Sequence, residues 1–271
     1  MLEHSTGSTK TLKYIRVNGV NMEKDLISVI MPTYNCANFI EETIKSVQCQ
    51  TYNNWELIIV DDRSKDNTEE IVNQIIKLDN RIKYYKLDTN QGAAMARTKA
   101  MELSKGKYMA FLDSDDLWKK DKLEKQIKFM KDNNYNFTCT SYEQIDEQGN
   151  KLDKIIKTKK KVDYNRLLLD CPVGNSTVMY NVDKLGKFEV PNIRKRNDDA
   201  LWLQILKKEK YIYGMEDVLM EYRIRNNSIS SNKWSLIKYH WQLYRKIEHL
   251  SVLRAAFHVC YWGIIKVLHI K

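Results

Sequence analysis

Apolar residues fall along this chain in two alternating rhythms. Short, nearly unbroken runs rich in β-formers occur at Ile27 to Met31, Glu56 to Val60, Ile82 to Lys86 and Lys107 to Leu112. Between them, apolar positions recur three and four residues apart: Ile40, Ile44 and Val47, then Ile71, Ile75 and Leu78, then the segment from Ala94 to Leu103. The first rhythm is that of strands buried on both faces, the second that of helices with one apolar stripe. Asp66-Asn67-Thr68-Glu69, ahead of the second stripe, has the spacing of a capping box. Strand, helix, strand, helix with short connections predicts an α/β fold, a mainly parallel sheet flanked by helices.

Beyond residue 116 the pattern loosens. Lys122 to Met130 reads as a helix, Phe137 to Tyr142 as a strand, Lys151 to Lys161 as a lysine-rich loop or hairpin, and Ser176 to Tyr180 as a short strand. Asp198-Asp199 opens a helix through Ala200 to Leu206. The expected organisation is a polar extension over residues 1–21, the α/β domain over 22–230 and a helical C-terminal segment over 231–271. That last segment holds seven Lys/Arg, one acid (Glu248) and seven aromatic residues. Leu250, Leu253, Phe257, Tyr261, Ile264 and Ile265 recur in it at helical spacing. A basic amphipathic helix with tryptophans reads as lying in a membrane interface. Docking on the protein's own core, or a homodimer contact, is the alternative.

Composition narrows the picture. With 271 residues, 43% of them hydrophobic, there is room for one large domain and an appendage. The net charge of +10 calls for an anionic partner: nucleic acid, anionic lipid or a phosphorylated substrate. The tail's basic residues sit among tryptophans with no recognisable nucleic-acid module, which argues against nucleic acid. Five cysteines, an odd number without a CxxC pair, exclude a disulfide framework or zinc site and fit a reducing cytoplasm. The start lacks the apolar stretch of a secretory signal, and no run is long enough to span a bilayer. The expected location is therefore cytoplasmic, with the tail at the inner face of the membrane.

The candidate chemistry lies at the strand ends, where open α/β sheets bind ligands. Those ends carry Pro32-Thr33-Tyr34-Asn35, Asp61-Asp62, Asp88 and Asp113-Ser114-Asp115-Asp116. Three carboxylates in four residues raise one another's pKa unless cations or donors compensate. Hard oxygen ligands on a short turn suit Mg²⁺ or Mn²⁺, which usually also hold substrate phosphates; a helix cap by Ser114 or Asp115 is the competing reading. Asp61 either accepts from a nucleobase N–H or merely starts a turn. Arg97, one helical turn past Asn90-Gln91-Gly92, reaches a phosphate or base edge, or faces solvent. The Asp198-Asp199 pair supplies a general base or a helix cap. Arg223 and Arg225, at i and i+2, clamp a diphosphate or decorate a basic surface loop. There is no GxGxxG and no GxxxxGK[ST]. Asp113, Asp115 and Glu124 have calcium-loop spacing, but Trp118 stands where the glycine belongs. His240, His249, His258 and His269 lack the i,i+4 spacing of a helical metal pair.

Taken in order, Ile27 to Asn35, Glu56 to Ser64, Asn90-Gln91-Gly92 and Phe111 to Asp116 resemble the motifs of family 2 glycosyltransferases of the GT-A fold. Asp-Asp-x-Leu-Trp and Tyr-Arg-x-x-x-x-Ser segments extend the match to residue 230. Bacterial capsule, O-antigen and related polysaccharide enzymes look most similar. The resemblance implies a Rossmann-like GT-A domain. It would carry out inverting, Mn²⁺- or Mg²⁺-dependent transfer from a nucleotide-sugar, expected to be UDP-linked, to a glycan or lipid-diphosphate acceptor. It implies that Pro32, Thr33, Tyr34, Asp61, Arg97, Asp113 and Ser114 line the nucleotide pocket, that Asp113 and Asp115 hold the metal, and that Asp199 is the base. Asn175, Asp198, Trp202, Arg223 and Arg225 are further candidates for diphosphate or acceptor contacts. Three positions depart from the family pattern: Arg63 replaces the glycine of Asp-Asp-Gly-Ser, Asp198 the glutamate of Glu-Asp, and Arg225 a frequent histidine. A sugar nucleotidyltransferase, lacking here its glycine-rich first loop, and a non-catalytic nucleotide-sugar or glycan binding protein are the alternatives.

Overall fold

In the computed structural model, residues 14–17, 20–225 and 233–267 are described. Among them eleven strands form one sheet. β1 (Tyr14–Val17) folds back on the start of β2 (Val20–Thr33). Then come α1 (Ile40–Gln48), β3 (Trp55–Asp61), α2 (Thr68–Ile76), β4 (Ile82–Lys86), α3 (Ala93–Leu103) and β5 (Gly106–Phe111). The second half contains β6 (Leu117–Trp118), α4 (Lys122–Asp132), β7 (Phe137–Ile145), β8 (Lys151–Ile156), β9 (Lys161–Val162), α5 (Tyr164–Leu169), β10 (Met179–Asn181), α6 (Val182–Leu185), α7 (Asn197–Leu206) and β11 (Ile212–Arg223). Two helices close the chain, α8 (Lys233–Gln242) and α9 (Val252–Val267), joined by a π-helical turn over Leu243–Ile247.

The expected α/β alternation forms the first half. β4, β3, β2 and β5 lie side by side and parallel. Ile27, Val29 and Met31 of β2 pack with Leu57, Ile59 and Ala110 on the α1/α4 face, while Ile30, Ile58, Val60 and Phe111 face α3 and α7. Burial on both faces is why these strands read as unbroken apolar runs. The second half is not parallel throughout. β10 runs antiparallel between β5 and β7, and β11 lies parallel to β7. The lysine-rich stretch is a hairpin arm, β8 on β7, and Ser176 belongs to a 3₁₀ turn ahead of β10 rather than to a strand. Strand order reverses between β2 and β5, the place where ligands bind in open sheets.

Local chemistry fixes the loops there. Asp66, not Asn67, caps α2, its carboxylate accepting from the Thr68 N–H and O–H at 3.1 and 2.6 Å. Arg63 has φ 66°, the left-handed conformation that favours glycine, which is why the related pattern has glycine there. Its guanidinium reaches the Asp88 carbonyl.

The C-terminal segment is two helices, not one continuous helix. Leu243, Tyr244, Leu250 and Ala255 join the core beside α5 and α7. The segment's single acid, Glu248, is buried between Lys207 at 2.8 Å and the Tyr164 hydroxyl. The predicted stripe is divided: Leu250 is buried and Tyr261 and Ile265 are half-buried, whereas Leu253 is 83%, Phe257 60% and Ile264 56% exposed.

At the start of α4, Lys122 is fully buried over the Trp118 ring, its ammonium donating to Gln126 Oε1 at 2.7 Å. Burial without a carboxylate partner pushes its pKa down to about 7. The unfolded chain then binds a proton that the folded one releases between about pH 7 and 10.5, so this group makes stability rise with pH across that window. Lys122→Met is expected to stabilise the protein, more at pH 7 than at pH 10, in urea denaturation at the two values. Equal shifts at both would contradict the buried-charge account.

Candidate active site

Three loops meet at the reversal of strand order. After β2, Asn35 enters the left-handed region at φ 48° and ties to the loop after β3: its N–H donates to Ser64 Oγ at 2.8 Å and its Oδ1 accepts from the Lys65 N–H. Tyr34 is exposed at the mouth, whereas Pro32 and Thr33 are buried. Thr33 Oγ1 has no hydrogen-bond partner among the described residues. Asp61, fully buried, accepts from the Ser64 N–H and the Tyr84 hydroxyl, both at 2.6 Å. Each oxygen keeps a second lone pair for a further donor.

Asp62, which sequence reasoning treated as part of a turn, organises the next loop. Its two oxygens accept from the Gln91 and Gly92 N–H groups at 2.6 and 2.7 Å, and its carbonyl from Asn90 Nδ2. Gly92, with φ 93° and ψ 159°, opens α3 there in a conformation essentially restricted to glycine. One turn into α3, Arg97 is buried rather than solvent-facing. It donates to Asp113 Oδ1 at 3.0 Å and to Asn197 Oδ1 at the start of α7, and its Nε is unpartnered.

Each carboxylate after β5 is compensated differently. Asp113 also accepts from Asn175 Nδ2 at 2.8 Å, and its backbone N–H donates to Ser176 Oγ. Burial lifts its pKa to about 6; Arg97 opposes that rise, and the charges of Asp115 and Asp198 add to it. Asp115 pairs with Arg225 at 2.9 Å. Ser114 is buried, its carbonyl accepting from Cys36 Sγ and Thr43 Oγ1. Asp116 is a buried hub that accepts from Ser176 Oγ at 2.6 Å and the Arg223 N–H at 3.1 Å. Burial, Asp115 and Asp113 push its pKa well up. The crowding of acids in the sequence was the signal for it.

Some expected contacts lie elsewhere. Trp202 is fully buried and packs edge-on against Phe111, so it is a core residue and cannot touch an acceptor. The Arg223 side chain is occupied by Glu42 at 2.7 Å and by the carbonyls of Asp115, Asp146 and Glu147. It pins β11 to α1 and is not free to clamp a diphosphate; Arg225 is the arginine left at the mouth. Asn226 to Ser230, the rest of that motif, lie outside the described residues. The two acids of α7 point different ways. Asp198, partly exposed, is close enough to Asp113 to raise its pKa. Asp199 is buried, held by Arg196 at 2.9 Å and the Cys171 thiol, on the side of the C-terminal helices.

Asp113 and Asp115 are the carboxylates able to hold a divalent cation. Among the described residues no group of three or more His, Cys, Asp or Glu could hold one by itself. Two carboxylates suit an ion that takes its remaining ligands from water and a substrate's phosphates. Thr33 Oγ1, Arg97 Nε and Asn175 Oδ1, all buried without partners, leave polar capacity around the same spot.

The sequence profile of glycosyl transferase family 2 matches residues 28–190. The putative teichuronic acid biosynthesis glycosyltransferase TuaG of Bacillus subtilis is 47% identical over 234 residues, 86% of this chain and 93% of that protein. The Escherichia coli protein WfgD is named UDP-Glc:alpha-D-GlcNAc-diphosphoundecaprenol beta-1,3-glucosyltransferase. It is 40% identical, over 82% of this chain and 86% of its own. Among solved structures, residues 1–349 of S. aureus TarS with UDP superpose with a TM-score of 0.65 at 20% identity, covering 87% of this chain and 70% of that one. The mannosyltransferase PcManGT of Pyrobaculum calidifontis with GDP-Man and Mn²⁺ gives 0.60 at 19% identity, over 86% and 69%. The fold is GT-A, and the chain belongs to glycosyl transferase family 2.

Proposed function

We propose that this protein transfers a sugar from a UDP-sugar to a hydroxyl of a lipid-diphosphate-linked glycan in the synthesis of a bacterial surface polysaccharide, with inversion at the anomeric carbon. The observation that carries this reading is the pairing of Asp113 with Arg97 and of Asp115 with Arg225 at the carboxyl end of the parallel strands, where Thr33 and Asp61 also end their strands. The names of TuaG and WfgD support the polysaccharide and lipid-linked acceptor, and TarS with UDP-GlcNAc supports the nucleotide.

Asp113 and Asp115 would hold Mn²⁺ or Mg²⁺, whose chemistry is to neutralise charge developing on the departing diphosphate. Arg97 and Arg225, each now spent on a carboxylate, supply cations to the same phosphates. Asp61 accepts from the base, and Thr33 Oγ1 bonds the nucleoside. We assign the base to Asp198 in place of Asp199. Its carboxylate is partly exposed, whereas Asp199 is buried and held by Arg196. The acceptor O–H gives its proton to Asp198 as its oxygen bonds to the anomeric carbon. The bond from that carbon to the diphosphate breaks, and UDP leaves. A positioned base contributes typically about 10²–10⁴-fold.

Asp198→Asn is therefore expected to lower transfer by about 10²-fold or more. UDP binding, read by calorimetry with Mn²⁺, should stay unchanged, and a chelator should weaken that binding in both proteins. Transfer near wild type in Asp198→Asn would remove the assigned base. UDP affinity indifferent to chelation would remove the metal role.

The exposed stripe of Val252, Leu253, Phe257 and Ile264 lies beside Arg254 on a segment whose single acid is buried. A groove of about 410 Å³ between α5 and α9, lined by Leu169, Leu253, Arg254 and Phe257, continues it. No helix among the described residues is long and apolar enough to cross a membrane. Exposed apolar side chains flanked by cations fit the surface of anionic lipid, where the acceptor would reside. Full-length protein is expected to sediment with phosphatidylglycerol vesicles, and Leu253→Asp with Phe257→Asp to abolish this. Sedimentation unaffected by the double substitution, or equal on neutral vesicles, would contradict the lipid docking.

A further inference from the structure

Arg196 caps the start of α7 in the left-handed conformation, φ 65° and ψ 21°, without a side-chain cap hydrogen bond. An arginine holds that conformation only when its surroundings determine it. Two partners do so. Nη1 donates to Asp199 Oδ2 at 2.9 Å, and Nη2 lies 2.9 Å from Nε2 of His240 on α8. A guanidinium only donates, so Nε2 of His240 accepts and the ring proton sits on Nδ1. Nδ1 faces the Tyr244 hydroxyl at 3.4 Å, and that hydroxyl donates to the Leu168 carbonyl of α5 at 2.8 Å. The donors and acceptors therefore run in one consistent order from α5 through the C-terminal segment to α7. His240 is fixed in turn against Trp262 of α9, ring centroids 4.4 Å apart. Burial lifts the Asp199 pKa to about 6 against the opposing charge of Arg196.

The output of this chain is the first turn of α7. Asn197 receives Arg97, and Asp198, the next residue of that turn, is left partly exposed, so the register of the turn sets both. We infer that Arg196 and His240 are positioning residues through which the C-terminal helices hold the Asp198 carboxylate at the reaction edge. The nucleoside side of the site is tied to other elements, through Asp61 to Tyr84 and Asp62 to the Gly92 turn, and Arg97 keeps a second anchor on Asp113, so donor binding leans on that turn less than the base does. The inference rests on the transferase reading for its effect on turnover, but its structural half does not.

The test compares full-length His240→Ala, His240→Gln and Arg196→Met with wild type. The glutamine amide oxygen can accept from Arg196 where alanine cannot. His240→Ala should lower kcat by about 10- to 100-fold through misplacement of the base. It should leave the UDP-sugar KM within about two-fold. Amide hydrogen exchange over residues 196–202, measured without substrate, should accelerate in His240→Ala and Arg196→Met and return toward wild type in His240→Gln. Restoration of both kcat and protection by His240→Gln supports the relay. Unchanged exchange in His240→Ala, or failure of His240→Gln to restore protection, overturns it, the latter by showing that His240 only packs. Should wild type turn over no donor, the exchange result still decides the relay, and the transferase reading alone has failed.

Discussion

Asp113, Asp115 and Asp116 stand together at the end of a buried strand, and their mutual repulsion has to be offset for the chain to fold around them. The compensation comes from separate parts of the sequence: Arg97 of α3 and Asn175 for Asp113, Arg225 after β11 for Asp115, Ser176 and the Arg223 backbone for Asp116. Burial and like charge still leave Asp113 and Asp116 with raised pKa values. The site is thus assembled from strand end, helix and distal loop by one electrostatic demand. The groups that satisfy the demand, Arg97 and Arg225, are also the ones chemically suited to a diphosphate, were a divalent ion to take over the carboxylates.

Half of this was legible from residue pattern. β2 to β5 and the intervening helices are local, periodic and apolar on both faces, so the rhythm of the sequence reports them directly. The second half escapes because its strands are short or paired across long separations. β6 has two residues and β10 three, and β11 finds β7 more than sixty residues upstream. Asp113, Asp115, Arg97 and Asn175 were visible as site candidates through spacing and motif. Asp62 and Asp116 were not, since their importance lies in which distant N–H and O–H groups reach them. Trp202 and Arg223 were misjudged for the complementary reason: an aromatic in a motif and an arginine in a loop look reactive until packing shows them enclosed.

The acidic pair of α7 shows how fine the distinction becomes. Consecutive helix positions are turned by about 100° from one another. Asp198 is accordingly left partly exposed while Asp199 meets Arg196 and, through it, His240. Sequence alone offered both acids and no way to orient them. The C-terminal segment likewise combines two roles that its composition does not separate. An inner face of Ala255, His258 and Trp262 is buried, and an outer face of Leu253, Phe257 and Ile264 is exposed.

The central claim is a single displacement in which one positioned carboxylate deprotonates the acceptor on the face opposite the leaving diphosphate. The anomeric configuration of the product tests it most directly. With an α-linked UDP-sugar and an acceptor that supports turnover, proton NMR of the isolated product should show a β-linkage from the anomeric coupling. An α-linked product would mean retention, and with it a mechanism that this arrangement of Asp113, Asp115 and Asp198 does not describe.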